Sequence, residues 1–206
     1  ISQTDGNEET FQFLVQFMIN HYQKKNIMGM DEVFVHVAEK YYLSGRADWI
    51  DSTSLVKLED KVRKTKPNLI GKTAPDLKVP TTTGEFARLH DLESQYVVLY
   101  FWEPDCGHCK KVTPEIWKLY QKYSRKQLEV FAFYTQNDKQ EWLKYLNEHE
   151  FDWINVYDPY YMSNFRQKYD IYSTPTIYLL DENKEIIAKR ISYKTLGKFL
   201  EKEINK

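Results

Sequence analysis

The chain has 206 residues, 42% hydrophobic and 16% aromatic, with a formal net charge of −1. That apolar content can supply a packed core and excludes global disorder. A near-neutral balance with no long one-sign run gives no basis for nucleic-acid binding, and no stretch of ~18 apolar residues reads as a membrane span.

The chain opens Ile1-Ser2-Gln3-Thr4-Asp5, with no methionine and no charged-then-apolar leader. It is read as a processed or truncated piece of a longer protein, so the missing leader says nothing of compartment. Residues 8–66 read as helical. Phe11, Leu14, Val15, Met18 and Tyr22 recur at helical spacing, and Phe13, Phe17 and Ile19 add apolar surface elsewhere, so this helix is expected to be covered on several faces. The stretch from Asn26 to Met30, with Gly29, is expected to end it. Asp31 is the expected cap of a second helix stopped at Gly45, although Val33, Val35 and Val37 also alternate as in a strand. Asp51 or Ser52 caps a third, carrying Leu55, Leu58 and Val62, and Pro67 marks the boundary. His21 and His36 have no ligand-spaced partner. Residues 1–66 are thus an accessory helical region, the C-terminal part of a longer upstream domain, and 67–206 form the second domain.

In that second domain, Ala74 to Pro80 is short and extended, Thr83-Gly84-Glu85 turns, and Phe86 to Leu89 returns, the pattern of a β-hairpin. Tyr96 to Trp102 is a continuous apolar run of strand length, the kind buried on both faces of a sheet. A helix follows, with Ile116, Leu119, Tyr120 and Tyr123 on one face and Pro114 inside it, where a kink is expected. Leu128–Tyr134 is the next strand. Asp138 caps a helix bearing Trp142 and Leu146, and a short strand covers Trp153 to Val156. A turn at Asp158-Pro159 leads to a helix that places Phe165 and Tyr169 inward. Thr176–Leu180 and Glu185–Ile191 form a hairpin, and a last helix carries Leu196, Phe199, Leu200 and Ile204. Strands alternating with helices argue an α/β domain, its sheet mostly parallel with an antiparallel edge.

The chemistry concentrates at Cys106-Gly107-His108-Cys109, which contains both cysteines of the chain. A structural disulfide across so tiny a loop adds little by chain entropy. Zinc asks for about four ligands, and haem attachment needs a histidine directly after the second cysteine, where this chain has Lys110. Redox exchange remains. Cys106 is placed at the start of a helix, where unpaired N–H groups and the dipole favour the thiolate, and Cys109 lies one turn on, more buried. The first sulfur attacks a disulfide and the second resolves the mixed intermediate. Positive charge from His108, Lys110 and Lys111 is expected to lower the Cys106 pKa further, which favours the reduced form and makes the pair more oxidising.

Phe101-Trp102, the Cys-Gly-His-Cys run, Pro114 and Ser173-Thr174-Pro175-Thr176 together resemble the thioredoxin superfamily. Gly71, Ala74, Pro75 and Asp76, the hairpin after them, and Tyr172-Ser173-Thr174-Pro175-Thr176 leading to Leu180-Asp181 resemble its extracytoplasmic TlpA/ResA group. The likeness covers about two-thirds of the chain. It implies a thioredoxin-like central mixed sheet flanked by helices, with an added N-terminal hairpin, preceded by the small all-helical region. It implies a cis peptide at Pro175, with Trp102, Thr174 and Pro175 meeting the substrate. It also implies no cofactor beyond a redox-active Cys106–Cys109 disulfide, disulfide-bearing or dithiol protein substrates, a membrane thiol relay, and a place in the periplasm or cell envelope. Tyr42 to Trp49 resembles, more loosely, helical regions that precede such domains in exported proteins.

Two positions depart from the thioredoxin pattern. Asp105 stands directly before Cys106, where many thioredoxins have tryptophan, and its charge opposes the thiolate. Tyr100 stands where thioredoxin has a buried aspartate that serves the second cysteine, which leaves Glu103 as the nearest carboxylate in sequence. Gly107, His108, Asp105 and Glu103 are therefore the expected tuning residues. The leading reading is a thiol–disulfide oxidoreductase. Its alternatives are a non-catalytic interaction protein docked through the Phe11–Tyr22 helix, and a peroxiredoxin-like peroxidase. Against the latter, Glu103-Pro104-Asp105 stands where peroxide chemistry wants a threonine. Direction is open: Cys-Gly-His-Cys is the run of mildly oxidising isomerases, near ~−180 mV, whereas the TlpA/ResA likeness implies reduction.

Overall fold

The computed structural model describes residues 7–23 and 27–204, and the chain divides into two compact units, Ile1–Leu69 and Ile70–Lys206. The first is helical: α1 (Glu8–Gln23), α2 (Met30–Val37), which continues into a π-helical turn at Ala38–Tyr42, and α3 (Ser52–Thr65). Asp51 caps α3, its carboxylate accepting from the Ser54 N–H. The start of α2 differs from expectation. Gly29, with φ of 86°, is the N-cap, and Asp31 sits in the first turn. A left-handed entry suits glycine, whereas a side-chain cap needs extended backbone, so the aspartate there does not cap. The expected end of the first helix falls partly on residues 24–26, outside the described residues.

The core of this unit packs Val15 and Ile19 of α1 against Phe34, Val37, Tyr41, Tyr42, Leu58 and Val62. The β-alternation of Val33, Val35 and Val37 loses to helical packing. On the other apolar face of α1, Phe13 and Phe17 are 65% and 56% exposed, stacked on each other.

The second unit is built on a five-stranded sheet in the order β5-β4-β3-β6-β7. Its strands are β3 (Tyr96–Trp102), β4 (Leu128–Tyr134), β5 (Ile154–Tyr157), β6 (Thr176–Leu180) and β7 (Ile186–Lys189). β3 pairs parallel with β4, from Tyr96↔Leu128 to Trp102↔Tyr134, and antiparallel with β6 on its other side. The antiparallel part is therefore not confined to the edge, because β6 itself enters beside the central strand. The sheet is mixed, with helices about it, the architecture expected from the sequence.

Residues of β3 alternate between two cores. Val98, Tyr100 and Trp102 face α4 (Cys109–Tyr120), α5 (Lys139–His149) and α7 (Tyr193–Ile204) through Ile116, Trp142, Leu196 and Leu200. Val97, Leu99 and Phe101 face Leu77, Val79, Leu89 and, in the short α6 (Phe165–Lys168) and just after it, Phe165 and Tyr169. Both faces being covered is why the strand reads as one unbroken apolar run.

A two-stranded hairpin, β1 (Lys78–Pro80) with β2 (Phe86–Arg88), lies outside the main sheet. The segment before it runs along β7: Gly71 N–H donates to Ile186 O and Ile186 N–H to Lys72 O, both at 2.9 Å, and Ala74 N–H donates to Lys184 O. On the far side, Thr81 makes a bridge to Val156 of β5.

Candidate active site

Trp102 ends β3, and its carbonyl accepts from the Thr135 N–H beyond the end of β4. The chain then crosses Glu103 to His108 before α4 begins at Cys109. Cys106 therefore precedes the helix, and Cys109 is its first residue rather than one turn inside. Cys106 nevertheless behaves as a capping residue does. Its carbonyl accepts from Lys110 N–H at 3.0 Å, and its Sγ accepts from Cys109 N–H at 3.3 Å. The expected dipole contact is thus realised as a specific hydrogen bond. α4 runs unbroken through Pro114, whose missing N–H leaves Lys110 O without its helical donor.

A second loop closes the site. Ser173-Thr174-Pro175 leads into β6, and the Thr174–Pro175 bond is cis. The Cys106 thiol donates to Thr174 O at 3.5 Å. The Thr174 hydroxyl donates to Glu103 Oε1, and Gln136 Nε2 donates to Glu103 Oε2 at 2.6 Å. One carboxylate thus ties the cysteine loop, the end of β4 and the proline loop together.

The two free thiols have opposite environments. Cys109 is 0% exposed, and Cys106 is half-buried. Partial burial alone pushes the Cys106 thiol up. The Cys109 N–H and thiol, the Thr174 hydroxyl and the His108 N–H together outweigh it, and its pKa lies below the ordinary thiol value. At Cys109 burial dominates, opposed by the Glu103 N–H and the Thr174 hydroxyl and reinforced by Cys106, and its pKa is pushed up to about 12. His108 acts through its backbone; neither its ring nor Lys110 or Lys111 is among these leading contributions. The ring is exposed, as are Gly107 and Asp105.

Trp102 is the clear correction. Its side chain is 0% exposed, parallel to Tyr100 at 6.3 Å and packed on Tyr145, so it supports the loop from beneath and does not meet a substrate. A buried tryptophan of this kind is worth roughly 3–5 kcal/mol against alanine. Pro175, by contrast, is partly exposed, as is Thr174. Tyr100 is fully buried, its hydroxyl 2.8 Å from Thr113 Oγ1, and burial holds the phenol well above its ordinary value.

Gln136 and Tyr145 escaped the sequence reading. Gln136 comes to Glu103 only through the parallel register of β3 and β4, which side-chain patterns do not specify. Tyr145 lies on the inner stripe of α5, indistinguishable in sequence from ordinary core.

With this geometry in hand, the comparisons with known proteins converge. Residues 70–189 match the AhpC/TSA family. Over 126 residues the chain is 27% identical to the thiol-disulfide oxidoreductase ResA of Bacillus cereus, covering 61% of this chain and 72% of that one. Among solved structures, a domain of a possible thiol-disulfide isomerase from Cytophaga hutchinsonii is 40% identical with a TM-score of 0.62, covering 66% of this chain and 94% of the domain. A thioredoxin-like protein from Bacteroides caccae is 25% identical with a TM-score of 0.71. That match covers 84% of this chain, a share the second unit alone cannot supply, and 62% of the longer protein.

Proposed function

This chain belongs to the AhpC/TSA family, with relatives named as thiol–disulfide oxidoreductases, and from that membership we propose the reaction its dithiol carries out. Cys106, as thiolate, attacks a disulfide of a protein substrate and forms a mixed disulfide. Cys109 then attacks the Cys106 sulfur, which releases the substrate as a dithiol and leaves the Cys106–Cys109 disulfide. The same steps reversed oxidise a substrate dithiol. No cofactor takes part other than that disulfide.

The observation that carries this reading is the asymmetry of the pair. The accessible sulfur has its pKa lowered, and the buried one is protonated until it is needed. An attacking and a resolving thiol require that division of labour. Thr174 and Pro175, partly exposed beside Cys106, are the ledge on which a substrate strand lies. Gly107, His108, Asp105 and Glu103 tune the pair. The TlpA/ResA likeness supports a place outside the cytoplasm, in the periplasm or cell envelope, where a membrane thiol relay sets the resting state. No described helix is long and apolar enough to cross a membrane.

Insulin-disulfide reduction with dithiothreitol as electron source tests the reaction. Cys106→Ser is expected to reduce the rate to background, and Cys109→Ser to accumulate a mixed disulfide. Full activity in Cys106→Ser would overturn the reading.

A further inference from the structure

Beyond Pro175 the chain is held by the sheet, where Thr176 pairs with Phe101 of β3. Before it, Ser173 and Thr174 belong to no strand or helix, so other hydrogen bonds must set where they stand. The cysteine loop meets Thr174 at two atoms. Its carbonyl accepts from the Cys106 thiol at 3.5 Å, and its hydroxyl donates to Glu103 Oε1. Glu103 is braced in turn by Gln136, whose Nε2 donates to Oε2 at 2.6 Å. Gln136 follows a residue fixed on both sides: Thr135 N–H donates to Trp102 O at 3.0 Å, and Thr135 O accepts from Arg166 Nη2 at 2.8 Å.

We propose that Glu103 is a positioning residue for protein substrates: its carboxylate, braced by Gln136, holds Thr174 in place beside Cys106, so that the ledge is set before a substrate strand arrives. The inference rests on Thr174 and Pro175 being that ledge. Glu103 acts through Thr174, and what it supplies to the substrate is geometry rather than charge. A loop ordered in advance need not be ordered by the substrate, so less of the strand's binding energy is spent on it. Both bonds to the carboxylate are charge-assisted, the stronger class. Gln136 is exposed whereas Thr174 is half-buried, so water competes more at the brace, and the Thr174 bond carries most of the effect.

The test compares two disulfides that both need attack by Cys106. Insulin has peptide groups to lie along the ledge, and 5,5′-dithiobis(2-nitrobenzoate) has none. The readout is the ratio of two rates of the full chain: insulin reduction at low insulin concentration, over the first thiolate release from the small disulfide. Changes in the reactivity of Cys106 itself cancel in that ratio. Glu103→Ala is expected to lower it about tenfold, the loss of one charge-assisted hydrogen bond, with Thr174→Val alike and Gln136→Ala less affected. Thr174→Ser, which keeps the hydroxyl, is expected to restore what valine loses. Glu103→Gln is expected to keep most of the wild-type ratio. Its amide oxygen still accepts from Thr174, and its NH2 donates to Gln136 once that amide turns over.

A Glu103→Gln ratio as low as that of Glu103→Ala would show that charge is what matters and would overturn the proposal. So would a Thr174→Ser ratio as low as that of Thr174→Val. Pro175→Ala separates the proposal from its premise. A wild-type ratio in that variant overturns the ledge and the positioning role with it. A lowered ratio there beside a wild-type ratio in Glu103→Ala overturns the positioning role alone.

Discussion

Cys106 and Cys109, three residues apart, sit on opposite sides of the ordinary thiol value, and the cause is local: one is half-buried and accepts the Cys109 N–H, the other is fully buried. Folding favours the thiolate at Cys106. Its stabilising effect is present above the unfolded value near ~8.5 and is lost as pH falls through the lower folded value. Cys109 has the reverse sign. Folding favours its thiol, so that contribution is intact below ~8.5 and is lost as pH rises toward about 12. Denaturant midpoints of the reduced wild type and Cys109→Ser, measured across that window, should show the wild-type advantage shrinking with pH. A constant difference would contradict the account. At this scale the sequence was legible where chemistry depends on spacing, as for the two cysteines. It was misleading at Trp102, because adjacency to the motif does not reveal which way a strand residue points. The His108 backbone N–H acts on Cys106 as well, a donor every non-proline residue shares and one that no side-chain pattern announces.

Among the elements, the strands were the most legible. Tyr96–Trp102 and Leu128–Tyr134 agree with expectation residue for residue, because two covered faces leave no polar position to blur the ends. Helix starts depended on the capping geometry. Asp51 and Asp138 cap as their sequence contexts imply, but Asp31 yields to Gly29, since a left-handed entry is a property of backbone that no side-chain pattern announces. Asp138 accepts from both Gln140 N–H and Glu141 N–H. Asp138→Ala should therefore cost about 1 kcal/mol by urea unfolding, within the usual range for a lost cap. A change indistinguishable from zero would mean water satisfies those groups equally well. Gln136 shows the limit of this scale: its meeting with Glu103 depends on the register between two strands, which belongs to neither alone.

For the molecule as a whole, the division after Leu69 separates a helical unit with its own small core from a sheet unit with two. The Cytophaga hutchinsonii structure is of a domain alone, and this chain covers 94% of it. Residues 70–206 produced alone should accordingly unfold cooperatively and retain insulin reduction close to that of the full chain. Loss of a cooperative transition would show that the sheet unit depends on the helical one. Mixed sheet order was only partly foreseeable, since β6 joins the centre through long-range pairing rather than through a neighbour in sequence. One feature of that sheet bears on behaviour at high concentration. Open strand edges are templates on which other chains can add strands and begin to aggregate. Here the segment entering the hairpin occupies the free side of β7 from Gly71 to Ala74, and the tip side reaches β5 at Thr81. The hairpin and the segment entering it thus work as a guard rail at both ends of the sheet, and they make this unit a poor nucleus for strand addition by neighbouring chains.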